Sequence, residues 1–248
     1  MSSQLYRNVN QIKNKLKKNK LTIGSWIQLN SVASTILMTE KKIFDWLTLD
    51  MEHGEINFED AIKLISLIQS KDIPCFIRLR ESNSENIKYS LECGALGLIY
   101  PNMSSYDEVK NKIEFSIYKK KRGVGFSISN SFGIHLKKNL NFKPINIVML
   151  ENTEIVEDLD KLKNIKEIDA FLIGPYDLRN SFIKKNQESK FESYLNNLFR
   201  KLKKNNMRYG IHIVNPNKKI LKENVRKGST FIPVGMDTIF LKDGISKI

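Results

Sequence analysis

Eight short apolar runs, each followed by an amphipathic or polar stretch, are spread along this 248-residue chain from end to end. They are Ile23–Leu29, Trp46–Leu49, Cys75–Leu79, Leu96–Tyr100, Ile145–Leu150, Ala170–Ile173, Tyr209–Val214 and Phe231–Val234. Strand-length runs alternating with helix-length stretches argue for repeated βα units around a parallel sheet. Eight such units in about 250 residues are what closes a TIM-type (β/α)8 barrel. The intervening stretches carry the helical period: Phe58, Ala61, Ile62, Ile65 and Ile68 form one stripe, and Phe191, Tyr194, Leu195, Leu198 and Leu202 another. Asn57 is placed to cap the first of these, and Gly94 and Gly228 to end helices. A leading helix over Leu5–Leu16 precedes the first strand and is positioned to cap the barrel floor. No linker, composition break or internal repeat divides the chain, so residues 1–248 are expected to form one barrel domain.

A net charge of +14 invites a nucleic-acid reading. The lysines argue against it. They are scattered over many predicted helices and loops (Lys17–Lys20, Lys119–Lys121, Lys203 and Lys204, Lys218 and Lys219) with no aromatic stacking platform beside them. The two cysteines, Cys75 and Cys93, form no Cys-x-x-Cys pair, which fits core packing in a reducing compartment. No apolar run approaches the ~20 residues of a membrane span, and the Lys-rich stretch Met1–Lys20 lacks the apolar segment of a signal peptide. The expectation is a cytoplasmic protein with neither nucleic-acid nor membrane partners.

Active sites of parallel barrels lie at the C-terminal ends of the strands. Asp50-Met51-Glu52-His53-Gly54 follows the second run, Arg78 and Arg80 fall at the third, Glu151 follows the fifth, and Gly174-Pro175-Tyr176-Asp177 follows the sixth. Carboxylates with open positions suit a hard cation such as Mg²⁺ or Mn²⁺, which polarises the carbonyl of a bound 2-oxo acid and stabilises the derived enolate. An arginine pairs with a carboxylate or enolate oxygen, and a histidine moves a proton near neutral pH. Taken singly, Glu151 or Asp177 could equally cap a helix, Arg78 could be a salt-bridge residue, and His135 a surface residue. His212, inside the seventh run, is ambiguous. Convergence on several strand ends is what favours a site. The longest irregular segment, Lys119–Pro144, contains Arg122-Gly123-Val124-Gly125, a weak phosphate signal.

The stretch Phe44-Asp45-Trp46-Leu47-Thr48-Leu49-Asp50-Met51-Glu52-His53-Gly54 resembles the signature of the HpcH/HpaI aldolases, metal-dependent class II pyruvate aldolases. Arg78, Glu92-Cys93-Gly94-Ala95 through Pro101, Arg122-Gly123-Val124-Gly125, Glu151, Gly174-Pro175-x-Asp177-Leu178 and Val234-Gly235-x-Asp237-Thr238 match in order. The resemblance runs from Gly24 to Leu241 and implies a TIM barrel, commonly assembled as a hexamer or trimer of dimers with a terminal helix exchanged between neighbours. It implies His53 as general base, Arg78 as transition-state stabiliser, and Glu151 with Asp177 as ligands of a divalent metal. Gly174 and the backbone of Tyr176 would meet the carboxylate of the 2-oxo acid. The reaction implied is reversible cleavage of a 4-hydroxy-2-oxo acid to pyruvate and an aldehyde. The same enolate chemistry would serve a citrate-synthase-like condensing enzyme, and a barrel that had lost catalysis would act as a binding protein.

Three positions depart from the family pattern. Glu92 replaces the shorter Asp that supports the histidine of a neighbouring subunit. Met149 stands where an amide is usual, two residues before Glu151, and the large Tyr176 stands where a small residue precedes the metal Asp. On this reading Glu92 modulates His53, while Met149 and Tyr176 shape the substrate pocket.

Overall fold

The computed structural model describes residues 3–248, so Met1 and Ser2 of the expected 1–248 domain lie outside it. Every apolar run overlaps a strand: β1 (Thr22–Ile27), β2 (Trp46–Asp50), β3 (Cys75–Arg78), β4 (Gly97–Tyr100), β5 (Ile145–Leu150), β6 (Ala170–Ile173), β7 (Tyr209–Ile211) and β8 (Phe231–Met236). β1 to β7 lie side by side in chain order, and β8 returns to pair with β1, all in parallel. The ring closes between β7 and β8. There Ile213 bridges Val234, the Ile213 N–H donates to Pro233 O (3.0 Å), and the Gly235 N–H donates to Ile213 O (2.8 Å). Between the strands run helices, among them Phe58–Ser70, Pro175–Lys184 and Phe191–Lys204. This is a TIM (β/α)8 barrel. No helix among the described residues is long and apolar enough to cross a membrane.

Strand periodicity divides the core in two. Leu47, Leu49, Ile77, Leu98, Val148, Leu150 and Ile173 point outward and pack with the helix stripes, including Ala61, Leu64, Ile65 and Ile68. Their inward neighbours, Trp46, Phe76, Ile99, Ile147, Met149, Leu172 and Phe231, fill the barrel together with Leu5, Val9, Ile12 and Leu16. Those four belong to the helix Ser3–Lys17, whose buried stripe therefore closes the N-terminal end as the sequence suggested. Asn57 caps Phe58–Ser70 by accepting the Asp60 N–H, and Gly94 and Gly228 take the left-handed conformation at helix ends, with φ of 102° and 104°. The segment 119–144 is less irregular than expected. It contains a 3-10 turn at Ile128–Asn130 and a short helix at Leu136–Asn139, with His135 exposed at its start.

The floor depends on one tight approach. The Trp46 and Phe231 rings stack at 4.2 Å with parallel planes, and Phe76 flanks Trp46 at 5.4 Å. Gly24, the β1 partner of Trp46, makes room for the indole, because a Cβ there would lie 2.2 Å from the ring. Gly24→Ala should therefore overpack the floor and cost about 1–3 kcal/mol. The measurement is a lowered denaturant midpoint with unchanged slope; a wild-type midpoint would show that the indole yields freely.

Candidate active site at the barrel mouth

Along β2 and β3 the inward positions change from aromatic to ionic towards the C-terminal end. Trp46 is followed two residues apart by Thr48 and Asp50, and Phe76 by Arg78. The register sets Asp50 beside Arg78. Asp50 is fully buried, and Arg78 meets it with a two-pronged contact, Nε to Oδ1 at 2.8 Å and Nη2 to Oδ2 at 2.6 Å. Gln28 Nε2 donates to Asp50 Oδ2 (2.9 Å), and the backbone N–H groups of Glu52 and His53 donate to Oδ1 (3.2 and 3.1 Å). Burial pushes the Asp50 carboxyl up, but Arg78, Gln28 and the His53 N–H outweigh it and hold the group below the usual carboxylate range. Burial likewise opposes the Arg78 charge, and Asp50 outweighs it, so the guanidinium stays protonated.

The remaining Arg78 nitrogen, Nη1, lies 3.2 Å from Glu52 Oε2, and its guanidinium sits 4.6 Å from the centre of the Trp26 ring. Glu52 Oε1 accepts from Asn102 Nδ2 (2.8 Å), while the Asn102 backbone N–H donates to Glu151 Oε2 (2.9 Å). On the other side, Asp237 accepts the N–H groups of Gln28 and Leu29 (3.0 and 3.1 Å), and Thr238 Oγ1 donates to Gln28 Oε1 (2.9 Å). The Asp237-Thr238 motif therefore orients Gln28. A continuous polar chain runs from β8 through β1, β2, β3 and the loop after β4 to the end of β5.

The predicted residues fall as follows. Arg78 and Glu151 are buried in the mouth. His53 is at its rim, 59% exposed, with Nε2 3.8 Å from Glu52 Oε2. Gly174 lets the end of β6 press against Glu151, since a Cβ would lie 2.7 Å from Glu151 Cγ. Asp177, exposed in the first turn of Pro175–Lys184, is close enough for its charge to act on Glu151. Tyr176 is 66% exposed and so is not packed beneath another segment. Met149 lies one inward step below Glu151, buried in the apolar filling. Glu92 is not among the groups on the His53 ring within the chain. It takes both prongs of the buried Arg122, from Nε at 3.1 Å and Nη2 at 2.7 Å to Oε1, while Arg122 sits over Tyr118. Gly123 and Gly125 have open space where a Cβ would be.

Gln28, Glu52, Asn102 and Trp26 were not given roles by sequence reading. A glutamine inside an otherwise apolar run was the available signal for Gln28. For Asn102 there was none beyond its place after the fourth strand.

Burial pushes the Glu151 carboxyl up to about 7. The Asn102 N–H opposes this, while the charges of Glu52 and Asp177 add to it. The Asn102 contact is the one hydrogen bond Glu151 makes among the described residues. A desolvated carboxylate within reach of the charge of a second one has the chemistry of a donor to a hard divalent cation. No group of three or more His, Cys, Asp and Glu forms a ligand cluster among the described residues. Two carboxylates leave open the positions that substrate oxygens and water take on such an ion.

A family model described as HpcH/HpaI aldolase/citrate lyase matches residues 23–243. The chain is similar to a 4-hydroxy-2-oxo-heptane-1,7-dioate aldolase of Escherichia coli, 25% identical over 241 residues, covering 94% of this chain and 90% of that protein. Its fold matches an HpcH/HpaI aldolase/citrate lyase family protein from Burkholderia cenocepacia, with TM-score 0.84, 19% identity, and 96% and 97% of the two chains covered. It also matches a citrate synthase, with TM-score 0.77, 18% identity, and 95% and 94% covered. At these identities the two structures speak for the fold alone.

Asp50→Asn should remove the buried guanidinium's two-pronged counter-charge, leaving it only Glu52, and cost about 3–5 kcal/mol at pH 7. Because the Asp50 pKa is depressed in the fold, its contribution is complete above the unfolded value of about 3.9 and fades as pH falls through the lower folded value. The stability gap between wild type and variant, followed by urea unfolding against pH, should therefore narrow only below about pH 4. A gap that is constant down to pH 2 would assign the cost to lost packing.

Proposed function

Because the chain belongs to the HpcH/HpaI aldolase/citrate lyase family, we propose that it is a carbon–carbon lyase of the aldolase type. It cleaves a 4-hydroxy-2-oxo acid reversibly to pyruvate, or a related 2-oxo acid, and an aldehyde. The observation that carries this reading is the barrel mouth itself: a fixed, protonated Arg78 and a desolvated Glu151 linked through Glu52 and Asn102, with His53 at the rim.

Glu151 and Asp177 would hold a Mg²⁺ or Mn²⁺ ion, which supplies Lewis acidity to the 2-oxo group. Gly174 and the free N–H groups at the start of Pro175–Lys184 orient the substrate carboxylate. His53 takes the proton of the 4-hydroxyl as the C3–C4 bond breaks and the electron pair moves towards the 2-oxo oxygen; a proton then returns to C3. Arg78 stabilises the negative charge gathering on that oxygen, and Asp50 holds the guanidinium in place so that little reorganisation is needed. Exposed apolar side chains at Val32, Leu37, Leu241 and Ile245 support a homo-oligomer, a hexamer by resemblance; the cytoplasm is the compartment proposed for it.

The test is solvent deuterium exchange into pyruvate with added Mn²⁺. Wild type should exchange, and His53→Ala should be slower by about 10²–10⁴. Asp177→Ala should lose metal-stimulated exchange, and full activity in that variant after chelation and dialysis would overturn the metal assignment. Exchange without cleavage of any 4-hydroxy-2-oxo acid would point to a condensing enzyme, and no exchange at all to a binding protein. Tyr176→Ala, which keeps the backbone N–H, should change the order of preference among aldehydes in condensation assays. An unchanged order would leave the phenol without a part in selectivity.

A further inference from the structure

His212 is a polar ring that the proposed chemistry does not use. Along β7 the outward side chains are Tyr209 and Ile211, both buried, and the inward positions are Gly210 and then His212. The register pairs Leu150 with Ile173 and Ile173 with Ile211. One step further on, Glu151, Gly174 and His212 stand side by side, all turned into the mouth. The imidazole leans on Trp26, with centroids 5.5 Å apart and planes inclined at 57°. Packing of that kind asks nothing of the ring's nitrogens.

The hydrogen bonding fixes them nonetheless. His212 Nε2 lies 3.3 Å from the backbone oxygen of Gly235. A carbonyl only accepts, so Nε2 carries the proton. Burial pushes the ring down to about 4, with the nearby Arg78 charge acting in the same direction. The imidazole is therefore neutral, and Nδ1 presents a lone pair. Among the described residues no group donates to Nδ1. Arg78, the adjacent cation, directs its three nitrogens at Asp50 and Glu52. The mouth is otherwise rich in carboxylates meant for cations and in donors meant for anions. His212 Nδ1 is a neutral acceptor, suited to a neutral donor.

We propose that His212 is a specificity-determining residue whose Nδ1 accepts a hydrogen bond from a hydroxyl group of the substrate, so that the enzyme prefers hydroxylated substrates to their unsubstituted analogues. This rests on the aldolase reading of the same site. The hydroxyl has two possible sources, the third carbon of the 2-oxo acid or the aldehyde, and the chemistry recognised is the same in both.

The experiment compares kcat/KM for 3-hydroxypyruvate and pyruvate with one unsubstituted aldehyde, and for glycolaldehyde and ethanal with pyruvate. Each ratio is measured in wild type and in His212→Leu. One ratio should fall about tenfold in the variant, the loss expected for one hydrogen bond. A fall in the first assigns the hydroxyl to the 2-oxo acid, and a fall in the second assigns it to the aldehyde. His212→Gln, which keeps an acceptor, should retain most of the preference even if the leucine variant folds poorly. A second readout needs no turnover. In ¹⁵N spectra of wild type with Mg²⁺, the unprotonated ring nitrogen should shift on adding the favoured hydroxylated compound and not its analogue. Equal ratios in both proteins, or equal shifts with both compounds, would overturn the proposal. Absence of pyruvate exchange in wild type would instead sink the aldolase reading and leave the spectroscopic test standing.

Discussion

The two-pronged contact between Asp50 and Arg78 sets the geometry of everything above the apolar filling. It sits where the barrel interior turns from aromatic to ionic, with Asp50 wholly buried. A buried ion pair is a weak source of stability, because both charges give up their hydration. Its consequence here is positional. Asp50 also accepts from Gln28 and from the N–H groups of Glu52 and His53, so one carboxylate fixes the arginine and the start of the loop that carries the histidine. Gln28 is fixed in turn by Asp237 and Thr238 at the end of β8, the neighbour of β1. The last strand thus reaches the reacting groups through the first.

The two ends of the barrel divide stability from chemistry. At the floor, Trp46, Phe76 and Phe231 stack over the leading helix, and Gly24 gives the indole its space. At the mouth the same inward positions hold groups whose burial is unfavourable unless they are partnered. Glu151 is only partly partnered. Burial pushes its carboxyl up to about 7, with the charges of Glu52 and Asp177 acting in the same direction.

The strands were legible because parallel strands covered on both faces read as continuous apolar runs. Their ends were less so. The run from Tyr209 continues to Val214, but regular pairing stops at Ile211 and only a single bridge follows at Ile213. Residue types at the strand ends also gave His53, Arg78, Glu151 and Asp177 as candidates, since position after a strand is visible in sequence. Partner choice was not. Nothing in the spacing told whether Arg78 would turn to Asp50 or to Glu52, and it engages both. Glu92 was read beside His53 across a subunit boundary, whereas within the chain it is held by Arg122, which the sequence offered only as the start of a glycine motif.

The departures from the family pattern acquire a common sense once the layers are known. Met149 occupies an inward position of β5 directly below Glu151, where an amide is usual in the family it resembles. Being apolar and buried, it extends the hydrophobic filling upward by one step and removes a polar contact from that side of the mouth. Two strands away, His212 brings a neutral acceptor into the layer of Glu151 and Gly174. The ionic chain from Asp237 to Glu151 runs between these two positions. Tyr176, exposed on the rim, lies outside that layer.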